Sequence, residues 1–139
     1  MTDFWSYLRI LSIVALLGFI MVSLLFIISP NMFTGVWINI GSALWYSLSI
    51  AFMSTVSIIA LMISINPKRY WVMLLPLAIG KLTSSALSLY WHNLLGGSVV
   101  LLNVMDALQF NFLVDGLIGV IALILYMMAY RISSKHNVL

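Results

Sequence analysis

The chain contains no cysteine and no glutamate, and only 6% of its residues are charged. Without cysteine there are no disulfides, no thiolate metal sites and no CxxC redox chemistry, which excludes a thiol oxidoreductase. A soluble domain usually carries about a quarter charged residues. A water-exposed surface on a chain of 139 residues cannot be built from so few charges. Histidine occurs twice, at His92 and His136, and no HExxH, GxSxG, P-loop or GxGxxG pattern is present. No catalytic residue, metal or cofactor is therefore expected, and no enzyme. Internal repeats and low-complexity tracts are also missing.

What is there is apolar. Hydrophobic residues make up 64% of the chain, with a mean hydropathy of +1.18. Four segments are long enough to cross a bilayer, which takes about 20 residues each. They run over residues 11–29, 39–65, 70–93 and 110–130. Ser29-Pro30-Asn31, Asn66-Pro67 and Gly96-Gly97 break the first three. In hydrocarbon the backbone must satisfy its own hydrogen bonds, so these spans are helices. The first is too long for a signal-peptide h-region and lacks a small-x-small cleavage pattern, so it reads as a retained span.

Net charge is +3, but the cations do not form a nucleic-acid patch. Arg9 precedes the first span, Lys68 and Arg69 lie between the second and third, and Arg131 and Lys135 follow the fourth. By the positive-inside rule both termini are cytoplasmic. The aromatic residues agree: Trp5, Tyr7, Tyr70, Trp71 and Tyr130 fall at the inner boundary, and Trp37, Trp45, Tyr46, Tyr90 and Trp91 at the outer one. The expected location is a prokaryotic cell membrane.

Residues 98–130 contain no breaker. One helix of that length spans about 50 Å, against a hydrocarbon core of about 30 Å. Asn103, Asp106 and Gln109 recur every third residue. That polar face predicts a short outer interfacial helix over 98–109 before the last span, the alternative being a helix that extends out of the bilayer. The fold class expected is all-α: a polytopic membrane protein, one integral domain over 1–139, built as a four-transmembrane-helix bundle with that interfacial helix.

Lys81 is the one cation left inside a span. An ammonium at mid-bilayer costs about 2.5–3.5 kcal/mol on insertion scales, so it needs compensation. Lys81, Ser85, Ser88 and His92 are four, three and four residues apart and share a helix face, with Ser84 at its margin. On the last span Asn111, Asp115, Gly119, Ala122 and Tyr126 share a narrow arc. Asp115 is the carboxylate available to Lys81, directly or through water, across antiparallel neighbours. A polar cleft of Lys81, Asp115, Ser84, Ser85, Ser88, His92 and Asn111 follows, and an outer cluster of His92, Asn103 and Asp106. His92 lacks the further ligands that a metal or haem site needs. A serine seam on the second span (Ser42, Tyr46, Ser49, Met53, Ser57) offers hydrogen bonds across helices.

Two functions compete. The first is a non-catalytic membrane subunit or interaction partner in a homo- or hetero-oligomer, with the lipid bilayer and other membrane subunits or copies of itself as partners. The second is a small oligomeric transporter or channel using Lys81 and Asp115. A redox-complex subunit is a weaker third. The Lys81–Asp115 pair serves the first as a register pin and the second as a path for charge.

Overall fold

A computed structural model describes residues 2–28, 40–95 and 102–135. All its elements are helical. Helix α1 is Thr2–Ile28, α2 is Ile40–Ile65 and α3 is the short Pro67–Tyr70. A 3₁₀ turn, Trp71–Met73, leads into α4, Leu74–Leu95, and α5 is Leu102–Lys135. Four of these helical stretches are long and apolar enough to cross a membrane: Phe4–Leu24, Ser47–Ile65, Pro67–Tyr90 and Asn111–Ser134.

The helices outrun the apolar segments that mark them in the sequence. α1 begins well before residue 11, and α5 has 34 residues, about 51 Å at helical rise. Hydropathy locates a hydrocarbon slab, whereas the backbone ladder continues wherever the next residue can adopt helical angles. The short helix expected over 98–109 falls partly within α5 and partly outside the described residues. Residues 102–109 form the first turns of α5 without interruption, and 98–101 lie outside the described residues.

The chain divides into two compact units, residues 1–68 and 69–139. In the first, α1 packs on α2. Leu8, Ser12 and Phe19 are buried on α1, and Val56, Ala60 and Ile63 on α2, each set at helical spacing. In the second, α4 packs on α5. The buried stripe of α4 is Leu74, Leu77, Ala78, Lys81, Ser85 and Ser88. That of α5 runs through Asp115, Gly119, Ala122 and Ala129. Small residues dominate this stripe, which is how helices approach closely where lipid supplies no hydrophobic drive.

Two prolines shape the entry to α4. Asn66 is the single non-helical residue between α2 and α3, and its N–H still donates to Met62 O at 3.2 Å. Pro67 then starts α3, where its missing N–H leaves nothing unpaired. Pro76 lies in the first turn of α4. Its ring opposes the carbonyl four residues back, that of Val72, so an α-helical run could not pass through without distortion. The 3₁₀ turn over Trp71–Met73 absorbs the conflict. The span expected over 70–93 therefore opens with a 3₁₀ turn, and Pro76 is the residue that signals it. Trp71 is held against α5 by Tyr126 and Tyr130, at ring-centroid distances of 5.3 and 6.3 Å.

Candidate functional site: a buried ion pair between α4 and α5

Lys81 and Asp115 meet directly. Lys81 Nζ lies 2.6 Å from Asp115 Oδ1, and their side chains are 1% and 5% exposed. The distance is that of a short, charge-assisted hydrogen bond. Stripping water from two charges costs several kcal/mol per ion, so geometry this close is needed to recover the loss. Lys81 is among the largest fully buried side chains of the described residues.

A polar ladder continues from the pair along α4. Ser85 Oγ donates to the carbonyl of Phe112 at 2.8 Å, one turn before Asp115. Asn111 Nδ2 donates to Ser88 Oγ at 2.7 Å and, more weakly, to Ser84 Oγ at 3.3 Å. Five residues expected in the cleft besides His92, namely Lys81, Ser84, Ser85, Ser88 and Asn111, are thus tied to α5 or to each other, with Asp115 completing the set. Each cross-helix bond of this kind contributes about 0.6 kcal/mol in a membrane protein. Asn111→Leu removes two of them, so we expect unfolding in detergent to show a loss of about 1 kcal/mol. A loss no different from that of Leu113→Ala, an exposed control on the same helix, would contradict the ladder.

Glycines set the approach that makes the ladder possible. A Cβ at Gly119 would stand 2.8 Å from Leu82 Cγ and 3.0 Å from the Leu82 backbone N. A Cβ at Gly116 would stand 2.9 Å from Ser85 Oγ, the hydroxyl bonded to Phe112. The sequence marked Gly119 as small, but not the carbonyl of Phe112 as an acceptor.

Other expected site residues fare differently. His92 falls within α4 and Asn103 and Asp106 within α5, but their side chains lie outside the described residues. Among the described residues no group of three His, Cys, Asp or Glu is placed to hold a metal. The serine seam of α2 does not act across helices at Ser57, whose Oγ donates back to Met53 O at 2.8 Å. Ser54 and Thr55 also bond back, to Ile50 O and Ala51 O. The carbonyl one turn earlier is always within reach, whereas a neighbouring helix must be brought there. Ser42 and Tyr46 have side chains outside the described residues.

Comparison with family models, curated proteins and solved structures finds no match for this chain.

Proposed function

We propose that the chain is a non-catalytic integral membrane protein, acting as a subunit or interaction partner in a homo- or hetero-oligomeric assembly of a prokaryotic cell membrane. Four helices cross the bilayer, both termini are cytoplasmic, and the first turns of α5 (102–109) meet the outer interface. The observation that carries the reading is the closure of the ion pair. A lysine and an aspartate bonded at 2.6 Å, with 1% and 5% exposure, spend their charge on each other. Such a pair holds α4 and α5 in one register. What the protein presents outward is apolar: Val14, Leu17, Met21, Leu113 and Leu117 are each more than half exposed. Lipid and partner helices are the surroundings that suit these faces.

Mild-detergent extraction from native membranes, followed by mass analysis of the intact particle, tests this. The expected result is a particle with a fixed stoichiometry above one chain. A clean monomer with no companion would sink the proposal.

The transporter reading keeps one observation in its favour. The pair lies inside the span Pro67–Tyr90 and is continued by Ser85, Ser88 and Asn111, and ionisable groups at such depth usually serve ions or protons. It requires a flux across protein-containing vesicles that Asp115→Asn abolishes in folded protein. Equal flux with either residue at position 115 removes it.

A further inference from the structure

A second polar site lies at the inner end of the first unit. There α1, Asn66 and the first two residues of α3 border an open cavity of about 340 Å³, lined by Trp5, Ser6, Arg9, Asn66, Pro67 and Lys68. Its volume is at the lower end of the range for ligand pockets, about 300–1,000 Å³. Two cations line it, and no carboxylate is among the described lining residues. Arg9, on α1, and Lys68, on α3, come from opposite ends of the unit's sequence and are brought together by the packing of α1 on α2.

The cations have a structural reason to gather here. Arg9 Nη2 donates to Ile65 O, the final carbonyl of α2, at 3.5 Å. A helix C-terminus carries roughly half a negative charge, which attracts them. That bond is long and engages one of the five guanidinium donors. Among the described residues, two full positive charges against about half a negative one leave the lining cationic. The indole of Trp5 lies beside the two cations on the lining.

We propose that this cavity binds the phosphate of an anionic phospholipid headgroup. Arg9 supplies a fork that matches phosphate oxygens, and Lys68 a point charge. Trp5, half-buried, sits where an indole favours the headgroup level. The source is lipid rather than free phosphate because α1, which lines the cavity, and α2, which ends beside it at Ile65, both carry exposed apolar stripes. These are Ile10, Val14, Leu17 and Met21 on α1, and Ile58, Leu61 and Ile65 on α2. Acyl chains attached to the bound phosphate would cover such stripes. The inference rests on the chain being a membrane protein, but not on its being a subunit. The positive-inside reading puts this end at the leaflet rich in anionic lipid.

The test uses the full chain in detergent micelles, with native mass spectrometry reading adducts of phosphatidylglycerol, phosphatidylcholine or inorganic phosphate. Phosphatidylglycerol should bind about thirtyfold better than phosphatidylcholine, as two near-surface cations imply. Lys68→Gln, an exposed change, should reduce that preference about fivefold, and Arg9→Gln/Lys68→Gln should abolish it. Arg131→Gln, an exposed cation of α5, should leave it intact. Should the double variant unfold, Lys68→Gln alone decides. An unchanged preference in Lys68→Gln, or an equal loss in Arg131→Gln, overturns the site. Displacement of the lipid by millimolar inorganic phosphate overturns the lipid assignment. Failure of the membrane reading itself would show separately, as release of the protein from membranes by alkaline extraction.

Discussion

Lys81→Met and Asp115→Leu, made singly, should each lower the stability of the protein by about 3–5 kcal/mol. The size of the effect comes from what is left behind. Each substitution takes the opposite charge away from a group buried to 1% or 5% side-chain exposure. For a protein whose whole stability is of the order of 5–15 kcal/mol, either variant would be poorly folded at ordinary temperatures. Unfolding in mixed micelles, followed by tryptophan fluorescence, reads this directly. The double variant Lys81→Met/Asp115→Leu should recover most of the loss. Paired removal leaves no orphan charge, and buried ion pairs replaced by apolar residues of similar size are often as stable as before. Single variants as stable as the parent would mean that water reaches the site and the pair is not closed.

Gly119→Leu should be the next most damaging single change. The α4–α5 crossing admits no Cβ at this position: Leu82 Cγ and the Leu82 backbone N would lie at 2.8 and 3.0 Å. A full leucine must therefore push the helices apart, at a typical overpacking cost of about 1–3 kcal/mol. Separation also lengthens the bonds of Ser85 to Phe112 O and Lys81 to Asp115, so the expected total reaches the upper end of that range or beyond it. Alanine gives a sharper comparison. In a helix, Gly→Ala gains about 1 kcal/mol from propensity alone. At Gly18, where nothing lies within 4 Å of an added Cβ, Gly18→Ala should show that gain. Gly119→Ala should lose stability instead. Thermal midpoints moving in the same direction for both would show that the crossing is looser than its geometry implies.

The pairing of Lys81 with Asp115 was legible in the sequence because helical periodicity is rigid. A lysine inside an apolar run needs a partner, and one carboxylate stood at a reachable depth on the following span. The spacing of Ser85 and Ser88 from Lys81, and of Gly119 and Ala122 from Asp115, placed the facing stripes by the same rule. Periodicity did not say which hydroxyls bond to another helix. Ser85 reaches Phe112 O because Gly116 and Gly119 let α5 come close, whereas Ser57 turns back to Met53 O. That choice depends on interhelical distance, a tertiary quantity. The helices extend beyond the apolar segments for a different reason: hydropathy reports the slab and not the ladder. The 3₁₀ turn at Trp71–Met73 was encoded in Pro76, whose effect falls on the residues before it. Arg9 and Lys68 read as orientation signals alone in the sequence, whereas the packing of α1 on α2 sets them on one cavity.

The central claim is that Lys81 and Asp115 hold two helices in register and take no part in moving charge or binding a substrate. The most direct test is the double variant Lys81→Met/Asp115→Leu, purified from its native membrane and assayed for stability and for the mass of the assembled particle. The account predicts a folded protein within about 1–2 kcal/mol of the parent that retains the same stoichiometry and companions. A double variant that is equally stable but has lost its assembly, or a measurable flux the parent supports, would contradict it.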